Sequence, residues 1–308
     1  MGSGSFSLPI LAALTEGGTQ LPVPVEVVGV VTQPDRPAGR GRRLRANSVA
    51  VAAVESEISV LKPQRLRRPE ALAELAALAP DIVVVAAYGQ ILPTAALQIP
   101  AHGCLNLHPS LLPRHRGPAP VAGTILSGDR TTATTLMLMN EAMDAGPLIG
   151  HIETGVAERE TAGELEARLG TLSGTLLLQE LPGWLRGDLA AVPQNEAEAT
   201  YTHMLTKDEA RVDWKVPAEL IDRQVRAFDP WPVAHCEWKG QAVRLFRSHT
   251  APGAAEPGQV LGLDGSGLAF GTGRNILVVE ELQLAGARRL PAADAVRGHP
   301  SILGATLE

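Results

Sequence analysis

At 308 residues the chain has room for two domains, and 45% hydrophobic, 19% charged and only 3% aromatic residues describe a soluble, globular chain packed through Ala, Leu and Val rather than a disordered one. A run of 18 apolar residues and a basic-then-apolar opening are both missing, so neither a spanning helix nor a secretory signal is expected, and the expected location is the cytoplasm. A formal net charge of −6 argues against a surface that coats nucleic acid throughout, and Cys104 and Cys236, far apart and outside any C-x-x-C, predict neither a disulfide framework nor a metal site.

The chain opens on MGSGSF, a Gly-x-Gly directly ahead of the helical stretch LPILAALTEGG. Such a turn in a dinucleotide site follows a strand, and a tight turn is the favoured account here. VEVVGVVTQ (25–33) is a β-branched run of strand length. It leads into PDRPAGRG and a basic region: from Arg36 to Arg68 nine Lys/Arg face only Glu55 and Glu57. A local basic patch can meet phosphates on an acidic protein, because screening limits each charge to about 8–10 Å. SVAVAAVESE (48–57) predicts a helix with Ser48 as N-cap, and PEALAELAALAP (69–80) a better one, with Pro69 at N1 and Pro80 as the stop. DIVVVAAYG (81–89) is a continuous apolar run, as a parallel strand buried on both faces requires. CLNLH (104–108), TTLMLM (134–139) and GPLIGHIET (146–154) read as further strands, with APVAGTILSG helical between the first two and 161–187 helical after the last. This alternation predicts an α/β domain over 1–187, a Rossmann-like open and mostly parallel sheet. Residues 188–205 lose the periodicity and read as a linker. One helix (217–227) and the short runs VAHCEW, QAVRLFRS, GLAFGTG and NILVVEELQL then predict a smaller β-rich domain, sandwich or barrel, over 206–308.

The chemistry concentrates in CLNLHPSLLPRHRGPAPVAG (104–123). Asn106 and His108 are two apart on a strand and share a face, where both can donate to one oxygen, as stabilising a tetrahedral oxyanion requires. Pro109 ends the strand, so the pair sits at its carboxyl end, where open α/β sheets hold ligands. A carboxylate beside an imidazole favours the protonated ring, and Asp144 in NEAMDAGPLIG is the candidate. On spacing alone, strand-end capping and simple turn chemistry account for these residues more often than catalysis does. Pro109, Pro113, Pro118 and Pro120 stiffen the loop into a wall suited to a flat polar heterocycle. Arg114 and Arg116 would meet an acidic substrate or lie in solvent, and their bare spacing favours solvent. The marks of serine hydrolases, zincins and Walker-type proteins are missing.

The order Asn-x-His-Pro-Ser-Leu-Leu-Pro-x-x-Arg-Gly-x-x-Pro, then Gly-Asp, then Asp-x-Gly-Pro resembles the signature of 10-formyltetrahydrofolate-dependent formyltransferases, and over nearly its whole length the chain is similar to the methionyl-tRNA formyltransferase family within them. VTQPDRPAGRGRRL resembles that family's basic loop, AAYGQILP a folate-pocket segment, and KDEARVDW, RAFDPWP and LQLAGARRL its C-terminal domain. The resemblance implies formyl transfer from 10-formyltetrahydrofolate to the α-amine of methionyl initiator tRNA, without a metal. Asn106 and His108 would polarise the formyl group and Asp144 would orient His108. Ser110, Leu111, Leu112, Pro113, Ile91 and Leu92 would line the folate site, and Arg40, Arg42 and Arg43 would reach the tRNA. It also implies an OB-like barrel, tRNA-binding, at the C-terminal end.

The chain departs from the family's pattern in three ways. His115 stands where a larger aromatic is usual. Residues 206–308 hold 12 Lys/Arg against 13 Asp/Glu, which shifts the tRNA attraction onto the Arg36–Arg45 loop. The family's opening strand is not seen, and either a misplaced start or a real truncation is expected. The alternatives are formyl transfer to a small amine, an amino sugar nucleotide or glycinamide ribonucleotide, and a non-catalytic RNA-binding relic.

Overall fold

The computed structural model describes residues 1–38, 43–265 and 267–308, with Ala38 and Arg43 described by their backbone. The chain forms two compact units, residues 1–120, 131–154 and 166–202, and residues 121–130, 155–165 and 203–308. No helix among the described residues is long and apolar enough to cross a membrane.

Up to residue 186 the elements run α1 (Ser7–Gly17), β1 (Val30–Val31), β2 (Arg36–Ala38), β3 (Arg43–Arg45), α2 (Ser48–Glu55), β4 (Val60–Leu61), α3 (Pro69–Ala77), β5 (Val83–Val85), α4 (Thr94–Leu97), β6 (Cys104–His108), α5 (Pro120–Ser127), β7 (Thr131–Leu138), β8 (Leu148–Gly155) and α6 (Ala162–Arg186). The architecture is α/β with a mostly parallel sheet. β1 pairs with β4 in parallel (Val30↔Val60), and β5 pairs with β6 in parallel (Val83↔Cys104, Val85↔Asn106). At β7 the direction reverses: Leu105 pairs with Leu138 and His108 with Thr135. The pairs β4–β1 and the run β5–β6–β7–β8 are separate sheets. Residues 1–3 bridge them: Gly2 N donates to Val31 O (3.0 Å) and Ala86 N donates to Met1 O (2.9 Å). An apolar cleft lined by Ile10, Val28, Val30, Leu78, Ile82 and Val84 lies between the two sheets. The strand expected over 25–33 therefore shrinks to Val30–Val31, the residues that find a ladder partner in β4, since a strand exists only where its peptide groups are paired.

Local chemistry explains the helix ends. Asn47, not Ser48, caps α2: its backbone is extended (φ −72°, ψ 162°) and its side chain accepts from Ala50 N, while Ser48 is already helical. α3 begins at Pro69 as expected. α6 opens on a reciprocal cap, Glu164 N donating to Thr161 Oγ1 (3.3 Å) and Thr161 N to Glu164 Oε2 (2.9 Å).

The second unit adds α7 (Ala218–Ala227), β9 (His235–Trp238), β10 (Gln241–Ala251), β11 (Val260–Asp264), β12 (Gly267–Gly271), β13 (Ile276–Leu284), β14 (Leu290–Pro291) and α8 (Ala292–Gly298). Its sheet runs β11–β12–β13–β10–β9 with β14 on β13, antiparallel at every pairing, and curls into a half-barrel. Trp214, Ile221, Cys236, Leu245 and Phe270 lie in its buried core. Strand β11 and helix α8 are additions to the elements expected from sequence.

Candidate active site

All five residues of β6 are buried, and the pleat turns Asn106 and His108 to the same face. Strand β7 ends beside the start of β6, where Met139 N donates to Cys104 O (2.8 Å). The 139–147 loop therefore has to fold back across that face to reach Asn106 and His108, and Asp144 is the residue that arrives. Asp144 sits in the left-handed region (φ +50°), which Asp tolerates better than most residues. Two residues on, a Cβ at Gly146 would lie 1.8 Å from Leu138 O, so the loop can press onto β7 only with glycine there.

Three side chains converge. Asn106 Nδ2 lies 3.5 Å from Asp144 Oδ1, and His108 Nδ1 lies 3.7 Å from Asp144 Oδ2. The same Oδ2 accepts from Gly117 N (2.8 Å). His108 Nε2 lies 3.0 Å from the carbonyl oxygen of His115; a carbonyl only accepts, so Nε2 carries a proton. The pleat puts Asn106 and His108 on one face as expected of a strand, while in this arrangement the Nε2 proton of His108 is engaged by the loop. Asn106 Nδ2, with its long contact, is the readier donor.

The loop after β6 is held from within. Ser110 is fully buried; its Oγ donates to Arg114 O (2.7 Å) and its carbonyl accepts from Thr135 Oγ1 (2.6 Å). Leu112 N donates to the same Thr135 hydroxyl (3.4 Å), and the Leu112–Pro113 bond is cis. His115 is buried, left-handed (φ +58°), and donates its N–H to Thr200 Oγ1 (2.8 Å).

Arg116 corrects the sequence expectation. Its side chain is 1% exposed. Nε and Nη2 donate to Gln194 Oε1 (3.0 and 2.8 Å), Nη1 and Nη2 to the Glu196 carboxylate (2.9 and 2.8 Å), and Nη1 also to Tyr201 OH (3.1 Å). These contacts use all five guanidinium N–H groups, so Arg116 is neither solvated nor left for an acidic substrate. The bond to Glu196 outweighs burial and holds the guanidinium above its ordinary pKa, and Glu196 is held below the usual carboxylate range by Arg116. A charge this deep needs such partners, because a lone buried ion costs several kcal/mol, on the order of its desolvation.

Of the other expected residues, Ile91 is exposed and Leu111 half-buried, while Leu92, Leu112 and Pro113 are buried. Arg40 and Arg42 lie outside the described residues, and of Arg43 the backbone pairs with Ala38. A polar cleft lies beside the 86–93 segment, lined by Gln33, Arg36, Gln64, Arg65 and Gln90 among others. Gln194, Thr135, Thr200 and Tyr201 were not expected. Thr135 lies in a run read as a strand, though nothing in that run singles it out; Gln194 lies in a stretch without periodicity and gives no local signal.

A buried Asn and His on one strand face, met by the half-buried Asp144 from the returning loop, can catch a developing oxyanion and move a proton, which is acyl-type chemistry. The chain belongs to the formyl transferase family, whose sequence pattern matches residues 1–181 and whose C-terminal domain matches 204–300. Among its relatives is the methionyl-tRNA formyltransferase from Chloroflexus aurantiacus, 44% identical over 301 residues, covering 97% of this chain and 95% of the relative. The fold is shared with the sugar 3N-formyl transferase WlaRD, solved in the presence of dTDP and 5-N-formyl-THF (TM-score 0.66, 14% identity, 93% of this chain and 97% of that one). A methionyl-tRNA formyltransferase from Clostridium thermocellum aligns with TM-score 0.52 and 13% identity, covering 72% of this chain and 92% of that one.

Proposed function

We infer that this chain transfers the formyl group of 10-formyltetrahydrofolate to the α-amine of methionyl initiator tRNA, giving N-formylmethionyl-tRNA for translation initiation. The observation that supports the site assignment is the meeting of Asn106, His108 and Asp144 within 3.7 Å of one another's polar atoms along the chain of contacts. The neutral amine attacks the formyl carbon, a C–N bond forms, and the carbonyl π electrons move to oxygen. Asn106 Nδ2 and His108 Nε2–H donate to that oxyanion, His108 by exchanging its bond to His115 O for one to substrate. The intermediate collapses with cleavage of the bond to N10. His108 gives its Nε2 proton to N10, which leaves as tetrahydrofolate, and the proton released by the amine returns to that ring nitrogen, with Asp144 steadying the ring. Aligning amine and formyl group away from water supplies much of the rate.

For the donor, Ile91 and Leu111 present surface to the folate, while buried Ser110, Leu112, Pro113 and Leu92 keep the wall in shape. Arg40, Arg42 and Arg43 contact phosphates of the tRNA. Residues 1–187 act as the catalytic domain, 188–205 as a linker and 206–308 as an OB-like tRNA-binding domain, working in the cytoplasm. The same three side chains would serve a small amine; the basic segment and the second domain favour tRNA.

The test is a formylation assay on charged initiator tRNA. Asn106→Asp and Asp144→Asn are each expected to cut kcat by roughly 10²–10⁴-fold with the KM for the folate within a few-fold. The pair Arg42→Ala and Arg43→Ala is expected to raise the KM for tRNA and flatten its salt dependence. Wild-type turnover in both site variants would remove the mechanism, and an unchanged salt slope would remove the loop's role.

A further inference from the structure

Gln194 joins the buried Arg116 to the turn that carries Asp144. The antiparallel contact Leu148↔Val192, in which each N–H donates to the other's carbonyl (2.7 and 2.8 Å), sets the local register. Counting two residues on from Val192 and two back from Leu148 places Gln194 opposite Gly146. Its amide is fully used: Nε2 donates to Asp144 O (2.8 Å) and Gly146 O (2.7 Å), and Oε1 accepts two bonds from Arg116. The orientation of that amide is unambiguous, because guanidinium N–H groups only donate and carbonyls only accept. Arg116 in turn is fixed at both flanks, its N–H donating to Thr200 O (2.9 Å) and its carbonyl accepting from Thr202 N (2.7 Å). Gly117, the next residue, holds the Asp144 carboxylate (2.8 Å), and a Cβ there would stand 2.5 Å from Thr202 O.

We propose that Gln194 is a positioning residue for Asp144, a bracket that locks the 144–146 turn onto the Arg116–Gly117 segment so that the carboxylate meets both His108 and Asn106. The proposal rests on the formyl-transfer role given to Asp144 above. Gln194 touches no reacting atom in this arrangement; it acts on the chemistry by fixing the backbone from which Asp144 projects. A glutamate at that position would keep the bonds to Arg116 but turn a second acceptor toward the two carbonyls, so the bracket fails although size and the arginine's partner are retained.

The experiment is a kinetic double-mutant cycle in the full chain, with Gln194→Ala, Asp144→Asn and the double variant. Gln194→Ala is expected to lower kcat about 10–100-fold, the scale of a misplaced catalytic group, with both KM values within about threefold. In the Asp144→Asn background the same change should cost less than about twofold, because the two act through one carboxylate. Gln194→Glu should fall with Gln194→Ala, and it serves as the readout if Gln194→Ala fails to fold. Full additivity in the cycle, or a kcat within twofold of wild type for both Gln194 variants while Asp144→Asn is crippled, overturns the positioning role and leaves the formyl-transfer site standing. Wild-type kcat in Asp144→Asn overturns both.

Discussion

Several residues of the loop signature serve geometry more than contact with substrate. Gly146 and Gly117 are required because a Cβ would collide with Leu138 O and Thr202 O. Thr135 shows the same division of labour on the strand beside it. Its hydroxyl donates to Ser110 O and accepts from Leu112 N, tying the wall of the expected folate site to β7. Replacing Thr135 by Val keeps the volume and leaves a buried carbonyl and N–H without that partner, a cost of about 1–3 kcal/mol. For a unit of this size that is a fall in Tm of roughly 2–12 °C. Because the loop and not the triad is loosened, the KM for the folate should rise more than kcat falls, as steady-state kinetics would show. The same side chain explains why Ser110 reads as a ligand residue in the motif yet is wholly enclosed in the fold: its two polar groups are spent on Arg114 and Thr135.

At the scale of elements, the contact between α1 and α6 depends on two small residues. Gly170 and Gly174 are four apart, hence on one side of the helix, and a Cβ at each would sit 3.1 Å from Phe6 O and 3.0 Å from Ala13 Cβ, respectively. Backbones approach there closely enough that a branched side chain has no rotamer to escape into. Gly174→Val is therefore expected to destabilise by about 1–3 kcal/mol through overpacking, more than any gain in helix propensity returns. Thermal unfolding would check it, and Gly187→Ala, at a position with open space around it but a positive φ of +75°, is the useful contrast: its loss comes from backbone strain alone. The antiparallel entry of β7 is the other decisive element. It carries the 139–147 loop away from the carboxyl end of β6, and the return of that loop is what Gly146, Gln194 and Gly117 secure.

For the molecule as a whole, buried acidic groups set its response to alkali. Burial pushes the Cys104 thiol from its ordinary value near 9 up to about 11 and the Tyr88 hydroxyl from 10 up to about 12, and it raises Cys236 as well. In the unfolded chain these groups release their protons at the ordinary values, while the folded chain retains them. Between those limits the folded state binds more protons, so stability falls as pH rises, by up to ~1.4 kcal/mol per pH unit for each group. Denaturation monitored from pH 8 to 11 should show this loss beginning near pH 9. Cys104→Ala should flatten the part between about 9 and 11, and a slope unchanged by that substitution would contradict the burial argument. Both thiols should also resist alkylation in the folded protein at neutral pH, since the thiolate is the reactive form.

Periodicity and breakers made the helices and the placement of strands β5 to β8 legible, because those signals are local: Pro69 starts α3, and the apolar run 81–89 contains β5. The same-face relation of Asn106 and His108 follows from the two-residue repeat of any strand. Asp144 could be nominated from the Asp-x-Gly-Pro pattern, but its arrival beside Asn106, 38 residues earlier, and His108 could not be seen, since it depends on the loop after β7 folding back. Strand 25–33 was overestimated for a related reason: β-branched composition states a preference, and only a neighbouring strand satisfies the peptide groups. Arg116 was misread because burial of a charge is decided by partners 78 to 85 residues away, Gln194, Glu196 and Tyr201, which local composition does not announce. The sequence by itself determined the class of chemistry and the strand that bears it; tertiary packing alone decided which groups are spent on holding the site and which remain to act.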